Sequence, residues 1–407
     1  MSAGGMRLIA VGEKVRAGVR LDEADALALF ESPDFLALGA LANEVRERRH
    51  GDRTYFNRNV RLETTNVCVA NCRFCSFARL ETGMPGAVTM TVEQAIASLL
   101  TKIAGAEPPT EVHVVNGLNP DLPFEYYEAL LRALAVALPG AHRKCFTAVE
   151  IHYFAQHYGL TPSVVLSRLQ AAGLQSLPGG GAEIFHPEVR TRICDDKATA
   201  EEWLEVHRQA HALGMPTNAT MLYGHVETYA HRVDHLLRLR ALQDESRALG
   251  EGHFQAFIPL AFHPDGNGMK QLPGPTGVDD LRTLAVSRLV LDNFDHIKAY
   301  WVSSTPKVAQ IGLSFGADDV DGTIVSETIY AAAGKRAPEG LSVDDLVRLI
   351  REAGRVPIER DTLYRVVREF PRAAPEGSFK VRERRQGRHL DVLPDISTRD
   401  VRDGSAE

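Results

Sequence analysis

The 407 residues include only five cysteines and two tryptophans, and there is no basic excess, the formal net charge being −7. That balance leaves no electrostatic footprint for a nucleic-acid partner. No apolar run approaches the ~18 residues that a membrane helix needs. The opening Met1–Met6 is too short and too polar for a secretory signal. Five cysteines without an export signal argue against a disulfide framework. The expected compartment is the cytoplasm, with neither a membrane nor nucleic acid as partner. Against these absences stand 44% hydrophobic and 24% charged residues, enough to build a large core.

Three of the cysteines fall in one stretch, Thr64-Thr65-Asn66-Val67-Cys68-Val69-Ala70-Asn71-Cys72-Arg73-Phe74-Cys75-Ser76-Phe77, at C-x3-C-x2-C spacing; the next is Cys145. Iron–sulfur clusters are held by cysteine thiolates, and a [4Fe–4S] cube has four irons to ligate. Cys68, Cys72 and Cys75 can each take one iron, leaving the fourth open to a small molecule that chelates through an amine and a carboxylate. The methionine end of S-adenosylmethionine offers both. An electron from the cluster can then split the sulfonium C–S bond and release a 5′-deoxyadenosyl radical, chemistry that belongs to the cofactor. Structural zinc wants four ligands, commonly in two spaced pairs, and only one triplet is present. A non-enzymatic electron carrier would want a fully ligated cluster, so the missing fourth cysteine argues against it. Cys145 and Cys194 read as buried, inert thiols.

Residues 1–55 read as a helical segment. Leu21 to Phe30 is rich in helix formers, and a second helix near 34–50 ends in the charged run Arg46-Glu47-Arg48-Arg49-His50, expected to be a solvated face. From residue 56 to 371, β-like runs alternate with amphipathic helices. The strands are expected at 59–64, 111–115, 144–149, 174–177, 217–223, 254–260, 296–301 and 320–323, with Pro259 marking a bulge or an end. Thr91-Val92-Glu93-Gln94 and Thr199-Ala200-Glu201-Glu202 read as capping boxes that open helices. Alternation of this kind implies a parallel α/β sheet. A (β/α)8 TIM-type barrel with an N-terminal helical cap and a C-terminal extension is the fold expected, with an open doubly wound sheet as the alternative. Residues 372–407, rich in Arg, Asp, Pro and Gly, read as a polar, loosely ordered tail.

In such a barrel the chemistry sits at the C-terminal ends of the strands, where the cysteine loop falls. Other candidates follow the same rule. Asn116-Gly117 ends the second strand, either as a plain turn or as a place where a ligand meets the backbone. Gly179-Gly180-Gly181-Ala182-Glu183 follows the fourth and lacks the Lys-Ser/Thr of a phosphate loop, but places Glu183 to accept hydrogen bonds. His225 follows the fifth strand, as an acid–base or anion-binding group or a helix cap. Lys298 lies in the seventh, and Arg208, on the helix between Glu183 and the fifth strand, is either a carboxylate partner or a surface residue.

The cysteine triplet, with Phe74 before its last member, resembles the radical S-adenosylmethionine superfamily. Lys144 to Glu150, Leu177 to Phe185, Thr217 to Thr228, Phe254 to Pro264 and His296 to Trp301 extend the likeness to the aminodeoxyfutalosine synthase family over about residues 55–365. Its relatives are the cyclic dehypoxanthinyl futalosine synthases and the deazaflavin (FO) synthase subunits, which stand as the alternative. The resemblance implies a transferase of the futalosine route to menaquinone. In it the adenosyl radical adds to the enol ether of 3-[(1-carboxyvinyl)oxy]benzoate, giving 6-amino-6-deoxyfutalosine and methionine after rearrangement and loss of a carboxyl carbon. It implies a [4Fe–4S] cluster on Cys68, Cys72 and Cys75 and a one-electron reductant of flavodoxin or ferredoxin type. S-adenosylmethionine is then expected against Asn116, Gly117, Thr147, Glu183 and Arg208. His225 and Lys298, with Arg208, are expected at the carboxylates of the anionic aromatic acceptor. Three stretches depart from the family pattern: Arg61 to Thr64, Asn116 to Asn119, and Ser303 to Pro306.

Overall fold

The computed structural model describes residues 3–250, 252–334 and 340–371, with side chains from residue 7 onward. The expected C-terminal tail, 372–407, lies outside the described residues. Among the described residues ten strands are formed: β1 (Arg53–Asn57), β2 (Asn59–Leu62), β3 (Glu111–Val114), β4 (His142–Cys145), β5 (Thr217–Tyr223), β6 (Phe254–Ala261), β7 (His296–Ile297), β8 (Asp319–Gly322), β9 (Val356–Arg360) and β10 (Val366–Glu369). From β2 to β8 the pairings are parallel and follow chain order. β2 pairs with β3 and β3 with β4. Single bridges carry the pattern on, from Lys144 to Ser176 and from Leu177 to Thr217. β5 pairs with β6 and β6 with β7, then Lys298 bridges Asp319. Val325 returns to Val60 on β2.

Local chemistry explains the helices between them. Thr91 caps the helix Val92–Lys102 and Thr199 caps Ala200–Ala212, each by a capping box with Gln94 or Glu202 at the third position, as the sequence predicts. The fourth expected strand survives only as bridges at Ser176 and Leu177. The third and seventh are shorter than expected because helices begin at Ala148 and Trp301. Pro259 causes neither bulge nor end. It sits inside β6 opposite Met221, and the one register shift of that pair lies at Thr217–Asn218.

β1, β9 and β10 are strands that the alternation did not reveal. β1 lies between β8 and β9, both parallel to it, and β10 closes the edge antiparallel to β9. The helix Glu23–Phe30 packs on the outer helices Tyr229–Leu249 and Gly277–Val290, and Phe35–His50 packs on Gly277–Val290 with its last turns reaching the N-terminal ends of β1 and β8. Phe35 stacks on Phe315 at 4.8 Å, and Gly39 leaves room for that ring: a Cβ there would stand 2.4 Å from it. The charged run at the end of the helix Phe35–His50 is not a solvated face throughout. Arg46 is fully buried and donates to the carbonyls of Gly51 (2.6 Å), Ala317 (3.4 Å) and Arg53 and to the Thr54 hydroxyl. Backbone carbonyls of the loops feeding the strands drew the guanidinium inward. Cys145 and Cys194 are buried, as expected.

Candidate active site

A cavity of about 300 Å³ opens at the C-terminal ends of the parallel strands. Cys68, Cys72 and Cys75 line it on one side, from the loop that follows β2. The loop is held by its own backbone and by one arginine. Cys75 N donates to Cys72 O at 3.0 Å and Cys68 N to Arg79 O at 2.8 Å. The Arg79 guanidinium donates to the carbonyls of Ser76, Phe77 and Ala78 at 3.2, 3.3 and 2.9 Å. Burial pushes the Cys68 and Cys72 thiols up, against the pull of the Lys197 ammonium. A bound metal deprotonates a coordinating thiol.

The donor set fits an iron–sulfur cube. Two side-chain groups among the described residues bring three ligand atoms within 4.8 Å of one another, as a single ion requires, and neither contains these cysteines. A four-iron cube takes a different iron at each thiolate and has no such requirement.

The end of β3 is fastened to the cysteine loop. Asn116 Oδ1 accepts from Thr64 N at 2.6 Å, Thr64 Oγ1 at 3.0 Å and Thr65 N at 3.3 Å, while its buried Nδ2 has no hydrogen-bond partner. Gly117 is glycine because the loop passes directly over it: a Cβ there would lie 2.2 Å from the Val67 carbonyl oxygen. Thr147 caps the helix Ala148–His157, and its N–H donates to Glu150 Oε2 at 2.7 Å. Burial pushes the Glu150 carboxyl up to about 7 against those bonds. Glu183, at φ 49°, holds the buried Lys197 ammonium, whose pKa its carboxylate and the nearby Cys72 raise. Of the three glycines before it, Gly179 answers to protein backbone, since a Cβ would stand 2.7 Å from Asn218 O.

The floor of the cavity is charged. Lys298 Nζ lies 2.6 Å from Asp321 Oδ1, and Lys144 Nζ lies 2.6 Å from Glu111 Oε2. Arg61 from β2 reaches the same space beside Tyr300, its guanidinium carbon 5.5 Å from the ring centroid.

The structure thus brings Asn116, Gly117, Thr147, Glu183 and Lys298 to one cavity with the cysteines. It does not bring Arg208 or His225 there. Arg208 is 41% exposed and pairs with Glu205 and, at 3.1 Å, with Glu245 on the outer face of the helices, because the phase of Ala200–Ala212 turns it away from the sheet. The His225 side chain is buried in its own turn. Nε2 donates to Leu222 O at 3.0 Å, Nδ1 accepts from Val226 N at 2.7 Å, and burial lowers its pKa despite Glu227. Sequence reasoning missed Arg61, Lys144 and Lys197 as members of the site. Arg61 sits one residue before the end of a strand that leads into the cysteine loop, a position that carried the signal.

Residues 62–239 match the Radical SAM superfamily model, and residues 251–374 match the CofH/MqnC C-terminal region. The aminodeoxyfutalosine synthase of Thermus thermophilus is 49% identical over 370 residues, covering 90% of this chain and 97% of the relative. That of Streptomyces coelicolor is 47% identical over 369 residues, covering 88% and 93%. A 5-amino-6-(D-ribitylamino)uracil–L-tyrosine 4-hydroxyphenyl transferase of Methanopyrus kandleri is 38% identical over 371 residues, covering 89% and 98%. Among solved structures, the FeFe-hydrogenase maturase HydG of Carboxydothermus hydrogenoformans superposes with a TM-score of 0.67 at 17% identity, covering 89% of this chain and 81% of that one. Methylornithine synthase PylB superposes with a TM-score of 0.65 at 18% identity, covering 85% and 97%. The fold these share is a TIM-like α/β fold, and radical SAM enzymes carry a [4Fe–4S] cluster and S-adenosylmethionine, to which Cys68, Cys72 and Cys75 correspond. With cysteine motif, strand-end cavity and relatives matched almost end to end, the chain belongs to the aminodeoxyfutalosine synthase family of the radical SAM superfamily.

Proposed function

We propose that this chain is a cytoplasmic enzyme that joins the 5′-deoxyadenosyl group of S-adenosylmethionine to 3-[(1-carboxyvinyl)oxy]benzoate, yielding 6-amino-6-deoxyfutalosine. The observation that carries the reading is the 49% identity over 370 residues to an aminodeoxyfutalosine synthase. Parallel pairing in chain order, with Val325 returning to β2, supports a closed (β/α)8 barrel over residues 56–371, preceded by 1–55 as an N-terminal helical segment. When bound, the cluster supplies the electron that opens the sulfonium C–S bond, drawn from a flavodoxin- or ferredoxin-type donor.

The chain's own residues then have separate tasks. Cys68, Cys72 and Cys75 hold the cluster. Asn116, Gly117 and Thr147 shape the wall against S-adenosylmethionine. Glu183 and Lys197, a buried carboxylate–ammonium pair beside Cys72, match the charges of the methionine end. Lys298 stands at the acceptor side of the cavity, oriented by Asp321. Apolar walls from Leu222, Ile258, Leu260 and Phe262 exclude water from the reacting carbon.

The test is anaerobic incubation of reconstituted protein with labelled S-adenosylmethionine and the enol ether. The adenosyl label should appear covalently in the product. Stoichiometric 5′-deoxyadenosine from dehypoxanthine futalosine, with no adduct from the enol ether, would move the chain to the cyclase branch.

A further inference from the structure

Among the described residues, four cations line the cavity: Arg61, Lys144, Lys197 and Lys298. Three have a carboxylate in hydrogen-bonding contact: Glu111 for Lys144, Glu183 for Lys197 and Asp321 for Lys298. Arg61 differs. Its side chain is 12% exposed, its buried Nε has no hydrogen-bond partner, and its ion pair with Asp321 spans 3.9 Å, beyond hydrogen-bonding distance. Asp321 is already engaged by Lys298 at 2.6 Å. A guanidinium with this little internal bonding is costly to bury unless something else completes it.

The surrounding acids act on it only through space: Glu63, whose carboxyl burial pushes up to about 7, Glu327, whose carboxyl burial also raises, and Asp321 favour the charged guanidinium without hydrogen-bonding it. Tyr300 offers its ring face, which steers the guanidinium plane and leaves its edge for another partner. The two terminal nitrogens, which unlike Nε are not sealed from the cavity, form a fork that matches a carboxylate in two parallel bonds.

We propose that Arg61 is the specificity-determining residue that binds a carboxylate of the anionic aromatic acceptor. The inference rests on the acceptor class proposed above and adds the group that selects it. Arg61 enters from β2, which runs directly into the cysteine loop, so one strand fixes both the cluster and the acceptor's anchor. A bidentate anchor there holds the acceptor in one orientation relative to the adenosyl carbon, which is what productive addition requires.

The experiment uses full-length reconstituted holoenzyme. Wild type, Arg61→Gln and Arg61→Lys are each assayed with the enol ether and with its two mono-amides, in which one carboxylate at a time is neutralised. Uncoupled formation of 5′-deoxyadenosine without acceptor is measured in parallel, and acceptor binding is measured by calorimetry. Arg61→Gln should raise KM for the dianion by roughly 100-fold and weaken calorimetric binding to match, while uncoupled cleavage stays within about twofold. One mono-amide should bind wild type and Arg61→Gln alike, identifying the carboxylate held. Arg61→Lys, which keeps the charge and loses the fork, should fall between. If Arg61→Gln does not fold, a wild type that accepts both mono-amides as well as the dianion overturns the proposal by itself. Unchanged KM in Arg61→Gln, or equal loss of acceptor use and uncoupled cleavage, also overturns it. Adduct from wild type with no dependence on Arg61 leaves the proposed reaction standing and removes this inference alone; no adduct from wild type removes both.

Discussion

A fully buried arginine and a part-buried one, at opposite ends of the strands, make the instructive contrast. Arg46, below the N-terminal ends, is fully buried with four oxygen acceptors around its three nitrogens. Its neighbour Arg288 is also buried, bonded to Gly316 O at 2.8 Å, Asp295 O at 3.1 Å and the Asp318 carboxylate. Arg61, at the C-terminal ends, has an unpartnered Nε and a carboxylate no closer than 3.9 Å in its one ion pair. The chemical group is the same. At the base, loops feeding the strands turn their carbonyls inward and complete it. At the mouth, loops part around a cavity and leave its hydrogen-bonding capacity for a ligand. Oxygen acceptors saturate Arg46, whereas none hydrogen-bonds the Arg61 guanidinium.

The contrast is cut most sharply at the cysteines. Alanine at Cys68, Cys72 or Cys75 should abolish turnover and cluster iron, measured by iron content and product analysis, whereas alanine at the buried Cys145 should leave both in place. Gly117→Ala should come next. A Cβ 2.2 Å from Val67 O cannot be accommodated without moving the cysteine loop, so iron incorporation should fall severalfold while thermal unfolding of the iron-free protein shifts little.

At the base the effect should be on stability. Arg46→Met leaves the acceptors of Gly51, Arg53, Thr54 and Ala317 unsatisfied, and should cost about 3 kcal/mol in denaturant unfolding. Arg61→Met removes an incompletely bonded buried charge and should change stability by less than about 1 kcal/mol, or increase it. Equal destabilisation by the two variants would erase the distinction.

Acid should act oppositely on the buried histidines and on two buried glutamates. Burial pushes His142 down to about 4 and His211 and His235 down to about 3, and holds His113 and His207 well below the ordinary range. Below ~6.5 the unfolded chain binds protons that these folded histidines refuse, so their contribution is lost as pH falls. Glu63 and Glu150, pushed up to about 7, keep protons that the unfolded chain releases above ~4.5, so they add stability over the same interval. Five histidines outweigh two glutamates, and the melting temperature should fall between pH 7 and pH 5. A rise would mean that the glutamates dominate. The smallest effect is expected at Arg208→Ala: two surface ion pairs are lost, and kcat/KM should stay within about twofold of wild type.

What the sequence by itself determined is what local spacing encodes. Three cysteines within eight residues specify three thiolates on one loop whatever lies around them. Thr91 with Gln94, and Thr199 with Glu202, cap their helices through bonds that span three residues. The alternation of strand and helix was readable for the same reason. Strand β1 was not, because Arg53–Asn57 is specified by β8 and β9, which follow it by more than 250 residues. Tertiary structure alone decided which charges meet. Helical phase sent Arg208 outward, a turn closed on His225, and converging strand ends brought Arg61, Lys197 and Lys298 to one cavity. Distances between those side chains are fixed by how strands register around the sheet, a property of many weak long-range contacts that no short stretch of sequence carries.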